Sequence, residues 1–227
     1  MIKTSDYLQG IKAGVPIILG IIPVGVAFAI MARQSGFSIL ETIMMSATVF
    51  AGASQMVSVN MYSQGADLLA IILATFVINL RHLIMSTCIM HKMKSDNVLM
   101  KALVSFGITD ESFAIFTNLE SEEATIGFFM GLISVTYSTW VLSTVLGAIS
   151  VKLLPAIIAN SLGISLYAMF IALLIPNVKS DFKLLYLMIF TGLLNLILVN
   201  IIGGSWAMIL STLIAASVGA CLIEVRL

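Results

Sequence analysis

Residues 66–90 read ADLLAIILATFVINLRHLIMSTCIM, and this stretch decides the fold class. It is long enough to cross a bilayer as a helix, which takes about 20 predominantly apolar residues. Yet its second half carries Asn79, Arg81 and His82. Unpaired backbone groups cost several kcal/mol each in hydrocarbon, so a lipid-facing segment of this kind must be helical. The alternation of a porin strand is absent.

Similar apolar stretches lie at 13–32 and 39–61 before it, and at 102–119, 124–150, 157–176, 182–201 and 205–223 after it. The expectation is an all-α membrane protein: a polytopic helical bundle of about seven or eight hydrophobic segments, with residues 1–227 forming one transmembrane domain. Composition agrees, since 60% of the 227 residues are hydrophobic and 10% are charged, against roughly a quarter charged in soluble domains. Met1 to Lys12 is too polar, and the apolar run after it too long, for a cleaved signal peptide. The first segment is therefore expected to be retained.

Several function classes fall away. Net charge is zero and the basic residues form no face that could track phosphates, which speaks against nucleic-acid binding. Cys88 and Cys221 sit in apolar stretches without the CxxC or Cys/His spacing of a metal site, and they read as packing residues. No nucleophile with an oriented base and no phosphate-cradling glycine loop is present, so neither an enzyme nor a resident cofactor is expected.

Three segments differ from plain lipid anchors. The first holds Pro16, Gly20, Pro23 and Gly25; the second holds Ala51, Gly52, Ala53, Ser54 and Gln55; the fourth holds Gly107, Thr109, Asp110 and Glu111. Proline removes a backbone donor, and an opened helix survives in a membrane only where protein or a water-filled cavity satisfies the freed groups. Such broken helices line many transport sites. Any one glycine is accounted for by close helix packing; Pro23-Val24-Gly25 and the Ala51–Gln55 run balance evenly between the two readings.

Charge in the connections conflicts with a simple count of crossings. His91, Lys92, Lys94 and Lys101 make the most basic connection, whereas Glu120, Glu122 and Glu123 dominate the next. The positive-inside rule puts the first in the cytoplasm and the second outside. Three full crossings before the basic connection would leave Lys3 and Lys12 outside. One re-entrant early segment removes the conflict, giving about seven crossings and a cytoplasmic N-terminus. A shift of 138 positions also matches Gly25 with Gly163, Met31 with Met169, Gly65 with Gly203 and Ile71 with Ile209. A shift of five segments would make the halves inverted repeats, although so few identities in an apolar chain weigh towards chance.

Arg81 lies about ten residues, roughly 15 Å of helix, from Lys92, too deep to snorkel fully. An intramembrane Arg is expected to face the interior with a partner and marks a functional site by default; a purely structural ion pair is the competing reading. At 100° per residue Asn79 and His82 lie near each other while Arg81 points elsewhere, so protein surrounds this turn or the helix opens there. Asp110 and Glu111 are the natural partners, and as neighbours only one can meet Arg81 directly. The remaining carboxylate, or His82, is then a candidate for proton exchange, since burial raises a carboxyl pKa and histidine titrates near neutrality. If the fourth segment is short, the two carboxylates sit instead in a solvated loop.

These blocks carry a resemblance. Gly14-Val15-Pro16, Ile22-Pro23-Val24-Gly25, Val49-Phe50-Ala51-Gly52-Ala53-Ser54-Gln55, Asn79-Leu80-Arg81-His82 and Thr109-Asp110-Glu111 resemble the AzlC family. That family is the large subunit of a two-component exporter of branched-chain amino acids. The likeness runs over nearly the whole chain, including Gly163-Ile164 with Phe170 and Gly203-Gly204-Ser205-Trp206. It departs at Pro23-Val24-Gly25, where the family has Pro-Phe-Gly, and at Met85, where an aromatic is expected. The resemblance implies a secondary transporter subunit, multi-pass in the bacterial cytoplasmic (inner) membrane, exporting hydrophobic amino acids on an ion gradient with a small AzlD-like membrane partner.

An amino-acid site needs a carboxylate anchor, an ammonium acceptor and an apolar slot. The expected substrate-binding set is Pro23, Gly25, Gly52, Ala53, Ser54, Gln55, Asn79 and Arg81, and the expected proton-coupling set is His82, Asp110 and Glu111. The carboxylate is placed near Arg81 or the opened backbone at Gly52–Gln55, and the ammonium near Asp110 or Glu111. A channel or facilitator for another small solute, and a structural subunit of a membrane complex, stay open as alternatives.

Overall fold

The computed structural model describes residues 3–93, 97–120, 124–151, 171, 175, 178–179 and 181–222. The sixth apolar stretch, with Gly163, Ile164, Met169 and Phe170, falls almost wholly outside the described residues, as do Lys94, Glu122 and Glu123. Among the described residues the chain is helical throughout, without a strand.

Helix α1 (Thr4–Gln34) runs unbroken through Pro16 and Pro23, so of the two readings left open at Pro23-Val24-Gly25 the close-packing one holds. The reason lies in its contact with α7 (Ile126–Ser150). A Cβ on Gly10 would come within 1.9 Å of the Phe128 carbonyl oxygen, one on Gly131 within 2.0 Å of that of Tyr7, and one on Gly147 within 2.8 Å of that of Val26. Glycines on both helices thus bring the backbones into direct contact, the small-residue packing that joins membrane helices where no hydrophobic effect is available. Clamped along its length, α1 keeps its course past both prolines. The paired residue numbers rise together, so α1 and α7 run parallel.

The second segment does break. Helix α2 (Ile39–Val49) starts on a Ser38/Glu41 capping box and stops at Phe50, whose φ of 45° is left-handed. Helix α3 (Gly52–Ser63) follows. The Ala51 N–H donates to Gln55 Oε1 at 3.1 Å, Gln55 Nε2 donates to Ser46 Oγ at 3.3 Å, and the Tyr137 hydroxyl donates to the Ala47 carbonyl at 2.8 Å. Groups freed by the break are thereby satisfied within protein. Phe37, just before α2, packs on Tyr62 at the end of α3 with ring centroids 5.1 Å apart, so α3 returns to the face from which α2 set out. At 1.5 Å per residue the hairpin reaches about 16 Å deep, near the middle of the hydrocarbon.

Helix α4 (Leu68–Met93) then crosses without opening at Arg81, and the fourth segment repeats the device. Helix α5 (Val98–Phe106) is capped by Asn97; the chain turns at Gly107–Thr109; α6 (Asp110–Thr117) starts on a Thr109/Ser112 capping box. Lys92, near the end of α4, donates to the carbonyls of Thr117 at 2.7 Å and Leu119. The end of α6 thus lies where α5 began. The two hairpins enter from opposite faces because α4 crosses between them, and their tips meet on α7: Phe50 lies 6.1 Å from Phe106 and 5.1 Å from Tyr137.

A crossing helix followed by a re-entrant hairpin therefore occurs twice in opposite orientation, an inverted repeat. Its offset is near 58 residues, from the caps Ala51 and Thr109. Two members of the 138-residue echo, Gly163 and Met169, fall outside the described residues. One re-entrant segment precedes the basic connection, as expected, and the fourth segment, after it, is re-entrant as well. Lys3, Lys12, His91 and Lys92 consequently share a face, as Tyr7 beside Gly131 and Phe116 on Phe129 at 4.9 Å also require. The expectation that Glu120 lies on the opposite face from Lys92 is corrected, because the fourth segment folds back instead of crossing.

Four described helices are long and apolar enough to cross a membrane: α1, α4, α7 and α8 (Lys183–Ile202). Gly203, at φ 83°, turns α8 into the antiparallel α9 (Gly204–Leu222), where Asn195 donates to Ser211 at 3.2 Å. Ile209 of α9 packs against Ala70 and Ala74 of α4.

Candidate functional site

The hairpin tips enclose a cavity of 120 Å³ at the mid-depth of the bundle. Its apolar wall is Ile17, Ile21 and Val24 of α1 with Phe50 and Trp140; its polar wall is Arg81, His82, Thr109, Asp110 and Glu111; Ala51, Gly52 and Ala53 supply backbone. Both α3 and α6 begin at this cavity, so two helix N-termini with their free N–H groups and positive dipole ends converge on it.

Arg81 Nη1 donates to Asp110 Oδ2 at 2.6 Å, with 32% and 25% of the two side chains exposed. Asp110 and Glu111 occupy the first turn of α6, where the helix dipole favours negative charge. Asp110, and not Glu111, meets the guanidinium. Neither carboxylate sits in a solvated loop, because the Thr109/Ser112 box starts a helix directly before them. Arg81 Nε is buried without a hydrogen-bond partner, so the ion pair does not use the full donor set.

Of the residues singled out from sequence, Gly52, Ala53, Arg81, His82, Asp110 and Glu111 come together around the cavity. Ser54, Gln55 and Asn79 stand behind that wall. Ser54 accepts from Asn79 Nδ2 at 3.2 Å, tying α3 to α4, while Gln55 holds the break itself. Pro23 is exposed, and Gly25 packs against Ser143 of α7, where a Cβ would approach to 2.8 Å. Gly25 thus shapes the α1–α7 contact, and neither residue lines the cavity. Sequence reasoning missed Trp140 and the α1 residues of the apolar wall. They sit in uniformly apolar segments, where no periodicity separates a residue facing a cavity from one facing a neighbouring helix.

The profile of the AzlC protein family matches residues 16–154. The chain belongs to the AzlC family. The matched region of this AzlC chain spans both hairpins and the crossing helices that frame them, and leaves α8 and α9 outside. A membrane protein of Archaeoglobus fulgidus is 37% identical over 179 residues, 78% of each chain. The inner membrane protein YgaZ of Escherichia coli is 31% identical over 185 residues, 77% of this chain and 74% of its own. The branched-chain amino acid transport protein AzlC of Bacillus subtilis is 28% identical over 137 residues, 60% of this chain and 54% of its own. No solved structure matches. This member of the AzlC family is a multi-pass membrane protein.

Proposed function

We propose that this protein is a secondary transporter subunit that exports branched-chain or other hydrophobic amino acids across a bacterial cytoplasmic membrane, coupled to protons and assembled with a small AzlD-like membrane subunit. One observation carries the reading. A mid-depth cavity has an apolar wall on one side and Arg81, Asp110, Glu111 and two helix N-termini on the other. A zwitterion with an aliphatic side chain requires that division. The relative in Bacillus subtilis bears the name of a branched-chain amino acid transport protein, which supports the substrate class.

In this reading the ammonium is received at Asp110 or Glu111, and proton exchange falls to the carboxylate not neutralised by Arg81, or to His82. The face bearing Lys3, Lys12 and Lys92 is cytoplasmic by the positive-inside rule. The two hairpins, one from each face, give each half of the inverted repeat its own element to open, as alternating access requires.

The test is counterflow of radiolabelled leucine in proteoliposomes holding this chain with and without the small partner, under an imposed pH gradient. Exchange that needs the partner and responds to the gradient is expected, and Arg81→Lys and Asp110→Asn should abolish it while assembling normally. Full-rate export by both variants refutes the site, and gradient-independent exchange refutes the coupling.

A further inference from the structure

We infer that the substrate carboxylate is received by Trp140 Nε1 together with the first-turn amides of α3 at Gly52 and Ala53, and not by Arg81. This rests on the reading of the cavity as an amino-acid site and names the group that fixes the substrate's acidic end.

Trp140 is 6% exposed, lines the cavity, and its Nε1 is buried with no hydrogen-bond partner. A buried indole N–H normally finds one, and leaving it unmade costs stability. The ring cannot turn away to find another: it stacks on Phe28 with centroids 5.9 Å apart, and a Cβ on Gly52 would come within 2.7 Å of its Cη2. The same contact explains why position 52 is glycine, since any side chain would push the ring from the α3 terminus.

The α3 terminus is deficient in the same sense. Helices α2, α5 and α6 each begin with a side-chain cap, from Ser38, Asn97 and Thr109. Helix α3 has none, and its first residues, Gly52 and Ala53, face the cavity. An uncapped helix start and an orphaned indole donor, brought together where Gly52 meets the Trp140 ring, are donors without an acceptor. A carboxylate supplies both with lone pairs, and the positive end of α3 favours its charge. Arg81 already has a carboxylate in Asp110 at 2.6 Å, whereas the indole N–H and the α3 terminus have no acceptor at all. Capture on the α3 side leaves that pair intact and puts the aliphatic chain against Ile21 and Val24.

The test measures binding of leucine, 4-methylpentanoate, which keeps the carboxylate and lacks the amine, and isoamylamine, which does the reverse, to the purified full chain. Trp140→Phe keeps the ring stack and removes the N–H. It should weaken leucine and 4-methylpentanoate about tenfold or more and leave isoamylamine unchanged. A second readout does not depend on that variant. The chain has two tryptophans, so in a Trp206→Phe protein the emission comes from Trp140 alone. Leucine and 4-methylpentanoate should shift it, and isoamylamine should not. Leucine bound equally by wild type and Trp140→Phe, with no emission shift, overturns the inference and leaves the amino-acid reading standing. Trp140-dependent binding of 4-methylpentanoate without any binding of leucine upholds the anion site and overturns the amino-acid reading. No binding of either carboxylate overturns both.

Discussion

Gly131→Ala tests the parallel α1–α7 contact that holds the cavity walls apart. The new Cβ would stand 2.0 Å from the Tyr7 carbonyl oxygen, 2.9 Å from its carbon and 3.0 Å from the Ile11 nitrogen. An ordinary carbon–oxygen contact is about 3.3 Å, so the two backbones must part by about 1.3 Å. Overpacking costs about 1–3 kcal/mol, and here the upper end applies because every atom met is backbone with no rotamer to yield. The Tyr7 hydroxyl also donates to Ser134 at 2.9 Å, a bond that the separation would stretch. Alanine returns up to about 1 kcal/mol of helix propensity, leaving a net loss near 2 kcal/mol. At about 2–4 °C per kcal/mol for a chain of this size, the midpoint of thermal unfolding in detergent should fall by about 4–8 °C. Gly192→Ala is the control: nothing lies within 4 Å of its added Cβ, so it should hold or raise the midpoint. A Gly131→Ala protein as stable as wild type would refute the direct contact and, with it, the parallel packing.

Three further outcomes follow from the hairpins. With Cys88 and Cys221 replaced by serine, single cysteines at Ser5 and Glu120 should react with an impermeant maleimide from one side of the membrane and a cysteine at Gln64 from the other; Glu120 reacting together with Gln64 would refute the second hairpin. Gln55→Leu removes the acceptor of the Ala51 N–H and should lower stability by about 1–3 kcal/mol in thermal unfolding; a midpoint equal to wild type would show that this side chain does not hold the break. Lys92→Met frees the carbonyls of Thr117 and Leu119 and should cost about 1 kcal/mol or more by the same measurement; an unchanged midpoint would deny that this lysine pins α6 to α4.

The sequence by itself determined that the chain lives in a membrane as helices, because hydrocarbon allows no other backbone solution for 20-residue apolar runs. It also marked which segments were unusual. A Phe-Ala-Gly-Ala-Ser-Gln block and a Gly-Ile-Thr-Asp-Glu block inside apolar runs are expensive unless protein surrounds them, and both prove to be breaks. Arg81 was legible as a paired charge for the same energetic reason.

Other features depended on contacts between distant segments. At Pro23 a break and close packing were equally open from sequence; glycines on α1 and on α7 keep α1 unbroken, and no local pattern reveals where a partner helix will lie. Whether a broken segment crosses or returns was equally hidden, because turning back at Phe50 and Gly107 leaves hydropathy unchanged. Tyr62 reaching Phe37 and Lys92 reaching Thr117 decided it. Trp140 was invisible for a related reason: in a uniformly apolar helix every face reads alike, and only the tertiary structure puts this ring against α3 beside the cavity, with its buried indole N–H unpartnered.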